Sequence, residues 1–192
     1  MCDPGDHKSI GVKMAEVEIR PAVSSDISTL EKFDHTIETT HVWRVDGSTT
    51  KDRIAIELNE VKLPRVLRLN YPRRAELLRN TWTRHLLFLI ASCEGSLAGY
   101  LTLDEDNDKL LAVVHDLVVN TPFRRQGIAS ALVFSARDWV KKRGMTRMLL
   151  EIPAKNHAMV EMAVKLRFSH AGQVDNFYQN GDMVLFYLSE LK

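Results

Sequence analysis

The stretch Arg124-Arg125-Gln126-Gly127-Ile128-Ala129 constrains this chain more than any other. It joins an apolar run of strand length, Leu110 to Val119, to an amphipathic run, Ser130 to Arg143. In the second run Ala131, Leu132, Ala136, Trp139 and Val140 fall on one helical face, and Gly144 stands where a helix-ending glycine belongs. Strand, basic glycine turn and helix in that order can hold a phosphate. The N–H groups at a helix start have no intrahelical acceptor, and the helix dipole adds positive charge there. Gly127 lets the backbone approach an anion with no Cβ in between. The stretch has neither the Gly-Lys-Ser/Thr ending of a nucleoside triphosphate loop nor a three-glycine dinucleotide fingerprint. Taken alone, it also reads as a solvated basic turn.

The rest of the pattern places this unit in an α+β domain. Glu16 to Ala22 alternates as a first strand, and Ser24-Ser25-Asp26 offers a helix start before Ile27, Leu30, Phe33 and Ile37. Residues 40 to 70 read as an extended arm or extra hairpin, with Ile54, Ile56 and Leu58 on one face and Pro64 as an interruption. After Pro72 the pattern predicts a short helix, Arg73 to Arg84, burying Leu77, Leu78 and Trp82. Leu86 to Cys93 and Leu97 to Leu103 form a hairpin through Glu94-Gly95, and the acidic cluster 104 to 108 makes the next turn. Met145 to Ile152 is a strand and Asn156 to Leu166 a helix; strands around 172 to 178 and 183 to 188 close the chain. The sheet is therefore mixed and mostly antiparallel, flanked by helices, with one strand–helix–strand crossover at 110 to 152. Residues 1–13 read as a flexible leader, and 14–192 as a single domain.

A net charge of +1 gives no global reason to expect nucleic acid or an anionic membrane as partner. The two cysteines, Cys2 and Cys93, have no metal-ligand spacing and predict no disulfide, so no metal is expected. No apolar run reaches membrane-spanning length and no signal-peptide core is visible, which reads as a cytoplasmic protein.

In context the glycine turn resembles the signature Arg/Gln-x-x-Gly-x-Gly/Ala of the GNAT superfamily of N-acetyltransferases, here Arg124, Gly127 and Ala129. Leu117-Val118-Val119 and Phe123 resemble the family's approach to that signature. Asn156 and Phe168, twelve residues apart, resemble its next helix, and Phe177 to Asp182 its closing hairpin. The resemblance implies the GNAT-like acyl-CoA N-acyltransferase fold, with the sheet splayed at its central parallel strand pair. It also implies acetyl-CoA as co-substrate. The pyrophosphate would lie against the backbone of Arg125, Gln126, Gly127, Ile128, Ala129 and Ser130, with charge from Arg124 or Arg125. The pantetheine arm would pair with Leu117 to Val119, and Asn156 would anchor it by its side chain.

The implied reaction is attack of a neutral amine on the thioester, with the oxyanion held by the Val119 N–H. An alkylammonium of pKa roughly 10.4 is nucleophilic in only about one molecule per thousand at pH 7, so removing its proton is worth about 4 to 5 kcal/mol. His115 is the first candidate base, with a core or rim histidine bonded to a carbonyl as the alternative. Asp116 and Glu151 are secondary candidates, or structural hydrogen-bond acceptors. Where the family often has a tyrosine acid, seven residues after the Asn, this chain has Ala163, and Arg167 replaces the usual glycine. Tyr178 is the substitute acid, or else a packed or surface tyrosine. Trp43, Tyr71 and Trp82 lie in segments the family uses to shape the acceptor pocket, with core packing as the default for Trp82. The arm either lids that pocket or makes a dimer contact, so a homodimer is an open expectation. The expected function is acetyl transfer to a small-molecule primary amine. The alternatives are a protein or peptide amine as acceptor, or a non-catalytic acyl-CoA-binding module.

Overall fold

The computed structural model describes residues 17–191; the expected leader and Cys2 lie outside them. The described residues form nine strands and four α-helices. They are β1 (Val17–Pro21), α1 (Ser24–Leu30), β2 (Ile37–Thr50), β3 (Arg53–Leu69), α2 (Leu78–Thr81), β4 (Leu87–Cys93), β5 (Ser96–Asp106), β6 (Leu111–Val119), α3 (Ile128–Lys142), β7 (Arg147–Pro153), α4 (His157–Lys165), β8 (Ser169–Val174) and β9 (Val184–Glu190). Seven strands form one sheet in the order β1-β4-β5-β6-β7-β9-β8, while β2 and β3 pair only with each other. Every neighbouring pair in the large sheet is antiparallel except β6–β7.

Two layers cover that sheet. All residues of β4 are buried, and they alternate between them. Leu87, Leu89, Ala91 and Cys93 join the apolar faces of α3 and α4, whereas Phe88 and Ile90 pack with Ile27, Leu30, Phe33 and Leu78 on the other side. Period-two alternation thus assigns each side chain to a layer. The buried stripe of α3, Ile128, Leu132, Val133, Ala136 and Val140, sits on the first layer, and each of its Ile, Leu and Val side chains contributes about 1.5–3 kcal/mol of burial. The β4–β5 turn uses Glu94 (φ 50°) and Gly95 (φ 76°), the paired left-handed conformations that suit a two-residue hairpin. At Gly99 a Cβ would stand 2.7 Å from the Val118 carbonyl oxygen, so only glycine lets β5 approach β6 this closely.

Three expectations change in detail. The segment after Pro72 is not one helix: 3₁₀ turns at Ala75–Leu77 and Trp82–Arg84 flank a single α-turn. Arg74 is extended (φ −86°, ψ 117°) and Leu77 is exposed, leaving Leu78 buried and Trp82 partly buried. The physical reason is Arg73, whose guanidinium is drawn into the sheet and holds the chain off a helical path. The 40–70 arm is a long hairpin, and Pro64 does not end its strand. Four residues, 63 to 66, lie opposite Thr40 alone where the register shifts, and such a bulge tolerates proline. Of the expected apolar face only Leu58 packs on the core; Ile54 and Ile56 are exposed. An isolated hairpin is marginal, and this one is held at its base by buried Ile37 and Thr39, by Trp43, and by the Trp43 N–H donating to Ala154 O (3.2 Å). The late strand expected around 172 to 178 runs from Ser169 to Val174, leaving Tyr178 in the loop before β9.

Candidate functional site

The turn between β6 and α3 is built for exposed backbone donors. Arg125 (φ 65°) and Gly127 (φ 82°) are both left-handed, and Gly127 is the N-cap of α3. Alternating handedness of this kind turns successive N–H groups toward one concavity, an anion-binding nest. The N–H groups from Arg125 to Ser130 have no acceptor among the described residues, while Ala131 begins the helical ladder by donating to Gly127 O (3.0 Å). The two arginines differ. Arg124 donates through Nε to Val119 O (2.9 Å) and through Nη2 to Asp34 O (3.0 Å), which ties the turn to the loop after α1. Arg125 makes no such bond and is exposed, as is Gln126, whose amide donates to Pro122 O (3.3 Å).

One strand earlier, β6 opens. Thr102 faces Asp116 and Leu103 faces Val114, so His115 is an extra, bulged residue. Pairing with β7 ends there too, at Val114 opposite Leu150. From His115 onward β6 presents a free edge toward β7. The Asn120 N–H donates to Ala98 O on β5, so strand alternation turns the N–H groups of Val119 and Leu117 to the free edge, and Val118 to β5. Asn156 caps α4, its Oδ1 accepting from Met159 N (3.3 Å), and it remains half-buried at the end of β7.

A cleft of about 500 Å³ opens beside the bulge, lined among others by Arg73, His85, Asp104, His115, Asp116 and Tyr178. Arg73 is its hub. The guanidinium donates to the carbonyl of His115, which faces the free edge, and to Glu151 Oε2. It also lies 3.6 Å from Asp116 Oδ1 and 5.3 Å from the centre of the Tyr178 ring. Asp116 accepts on both oxygens: Tyr71 Oη donates to Oδ1 (3.0 Å) and Thr102 Oγ1 to Oδ2 (3.1 Å).

His115 lies between two carboxylates, with Nδ1 3.1 Å from Glu151 Oε2 and Nε2 3.3 Å from Asp104 Oδ2. Burial works to lower its pKa, but the hydrogen bond and charge of Glu151 outweigh it and hold the imidazole above its ordinary value. Burial would raise Glu151, yet the bond from His115 and the charges of His115 and Arg73 hold its carboxyl below the usual range. Asp104, 38% exposed, also meets His85 Nδ1 at 3.0 Å, so a line of titratable groups runs from Glu151 to the cleft mouth. Tyr178 is buried, its hydroxyl has no partner among the described residues, and burial pushes its pKa well up.

Residues 57–168, more than half of the chain, match the profile of the Acetyltransferase (GNAT) family. The chain belongs to the GNAT family of acetyltransferases. A curated relative, the [ribosomal protein bS18]-alanine N-acetyltransferase of Escherichia coli K12, is 29% identical over 107 residues, covering 54% of this chain and 68% of the relative. Among solved structures, a nourseothricin acetyltransferase superposes with TM-score 0.78 at 22% identity, covering 92% of this chain and 99% of that one. A candidate streptothricin acetyltransferase from Bacillus anthracis, solved with acetyl coenzyme A, gives 0.70 at 17%, covering 91% and 99%. The mixed sheet splayed at β6–β7 is the GNAT fold.

Within this GNAT domain the position of the frequent tyrosine, Ala163, is fully buried in the first core layer. Trp43 and Trp82 pack on the two core layers, Tyr71 stands behind Asp116, and none of the three lines the cleft. The arm contributes no residue to the lining of this cleft. Of the acidic cluster 104 to 108, only Asp104 faces the cleft; Glu105 pairs with Arg143 and Asp106 with Lys109. Sequence reasoning missed Arg73, His85 and Tyr100 as site residues. The one available signal was Arg73 directly after Pro72, and it reads equally as a helix start. No helix among the described residues is long and apolar enough to cross a membrane.

Proposed function

We propose that this GNAT domain transfers the acetyl group of acetyl-CoA to the primary amine of a small cationic molecule bound in the cleft beside His115. The observation that carries the reading is the bracketed histidine: a bulge, two carboxylates and a free strand edge meet at one point. The cleft volume falls within the roughly 300–1,000 Å³ typical of small-molecule sites. Asp104 in the cleft wall would attract an ammonium group, and the nourseothricin and streptothricin acetyltransferases named above share the fold over nine-tenths of the chain.

Acetyl-CoA supplies the reactive thioester. The residues fit it through the acceptor-free N–H groups of 125 to 130 and the free edge of Leu117 to Val119. In this reading the nest takes the pyrophosphate, Arg125 adds charge, and Arg124 holds the turn in shape. The Val119 N–H, turned to the free edge, would donate to the acyl oxygen as charge develops there. His115 receives the ammonium proton once it is itself neutral and passes it through Asp104 toward solvent. Tyr178, with a buried and unpartnered hydroxyl, donates to the departing sulfur in place of a tyrosine at 163. Asn156 acts by capping α4 beside the cofactor path.

Coenzyme A release, followed with a thiol reagent across a panel of amines, tests this. Turnover is expected with small di- and polycationic amines, and much less with an N-terminal alanine peptide. Faster turnover of the peptide would move the acceptor class to proteins. Tight acetyl-CoA binding with no turnover on any amine would make the domain an acyl-CoA-binding module.

A further inference from the structure

Away from the cleft, three side chains from three elements converge at the base of the arm. His41 on β2, Glu60 on β3 and His157, the first residue of α4, each offer one donor atom within 4.8 Å of the others. His157 Nε2 meets Glu60 Oε1 at 2.5 Å, and the rings of His41 and His157 lie 5.0 Å apart, tilted by 30°. We propose that these residues form a zinc-binding site, independent of the acyl-transfer reading.

The donor set selects the ion. Two imidazoles and one carboxylate suit zinc and its transition-metal neighbours, whereas calcium and magnesium take oxygen ligands. Zinc bonds of about 2.0–2.2 Å in a tetrahedron place neighbouring donor atoms roughly 3.4 Å apart. The three donors lie within 4.8 Å of one another, so closing to that separation takes shifts of about 1–1.5 Å. The direct Glu60–His157 contact has to open by only about 1 Å to admit the ion. Glu60 is 44% exposed, so its side chain has room to make that move.

One outer partner is in place and a second stands nearby. Metal-bound histidines donate their second ring nitrogen to an oxygen, which fixes the ring. Here His41 Nδ1 is 3.0 Å from Thr40 Oγ1, while Glu161 Oε2, 3.8 Å from His157 Nδ1, would have to move closer to accept from that ring. Three protein ligands leave a fourth position for water. The position of the site gives it a consequence. The same stretch of β2 donates from Trp43 N to Ala154 O, and Asn156 caps α4 next to His157. Zinc would therefore clamp the arm onto the start of α4, where packing of the hairpin is otherwise limited to its base. Expectation from sequence found no metal because the ligands are scattered over 41, 60 and 157, with no short spacing to betray them.

The test is metal binding by the full chain, purified without a polyhistidine tag and stripped with chelator. Titration with zinc chloride, and with cobalt(II) followed by its visible absorption, is expected to show one ion per chain and a raised Tm. His41→Ala and His157→Ala should each weaken binding by a hundredfold or more. Glu60→Gln, which preserves shape, should weaken it by about tenfold, and Glu161→Gln by about tenfold or less, as outer-partner changes do. Fractional binding, or binding that Glu60→Gln and both histidine variants leave unchanged, would overturn the proposal and leave an ordinary surface ion-pair cluster.

Discussion

The turn at 124 to 129 and the cleft around His115 lie at opposite ends of the same stretch of β6, yet they are made of different material. The turn is backbone: six consecutive N–H groups without acceptors among the described residues, aimed by two left-handed residues, with one of its arginines committed to carbonyls. The cleft is side chain: Arg73, Asp104, His115, Glu151 and Tyr178 arrive from five different segments and hold one another in place. A site of the first kind should tolerate side-chain changes and fail when the chain path changes. A site of the second kind should do the reverse, because removing one member leaves buried charges unpaired.

The largest expected effect is on His115. His115→Ala should lower kcat/KM by about 10²–10⁴-fold, the usual worth of a positioned acid–base group. Its pH dependence sharpens the point. The folded-state pKa lies above the ordinary 6.5, so the neutral, proton-accepting form appears only as pH rises past that raised value. Parent kcat/KM should therefore climb with pH to a midpoint above 6.5, and the variant should lose that limb. An unaltered profile would take His115 out of the chemistry. Stability runs the other way. The raised pKa makes protonated His115 stabilising below pH 6.5, and the gain disappears as pH rises through the folded value. Glu151, with its pKa lowered, stabilises above its ordinary 4.5 and loses that contribution as pH falls through the lowered value.

Next comes Arg73→Met, which leaves Asp116 without its neighbouring cation and Glu151 with His115 alone. A loss of about 3 kcal/mol of folding stability is expected in urea unfolding. A change under about 0.5 kcal/mol would mean that the cleft charges do not depend on this hub. Tyr178→Phe should slow turnover by about tenfold, roughly the worth of one hydrogen bond to a charged group, while acetyl-CoA affinity is retained. Full activity would dismiss it as the acid. The smallest effect is expected from a side-chain change at the turn. Arg125→Ala should weaken acetyl-CoA only a few-fold, about 0.5–1 kcal/mol for one exposed charge.

The same contrast explains what could be read from sequence. The β4–β5 hairpin, the β6–α3–β7 crossover and the nest at Gly127 are local, and their turn chemistry and periodicity are written in neighbouring residues. His115 was visible as a candidate, but its partners were not, because Asp104 and Glu151 reach it from the two strands that flank β6. Arg73 was hidden for the same reason. Its role depends on a strand bulge and a splay that no short window encodes, and the segment around it resembles a helix until the guanidinium is placed. The arm misled through Pro64, which normally breaks a strand and here sits in a register shift. Ala163 was legible as a departure from the family; the unpartnered hydroxyl of Tyr178 was not.

The division between backbone and side chain is tested most directly by calorimetric titration of acetyl-CoA into Gly127→Val beside the parent protein. At φ 82° a β-branched residue is strained, and its Cβ would stand in open space at the mouth of the nest. Loss of measurable acetyl-CoA binding in a folded variant is the expected result. Unchanged affinity would show that the cofactor phosphates are held elsewhere and would contradict the assignment of the turn.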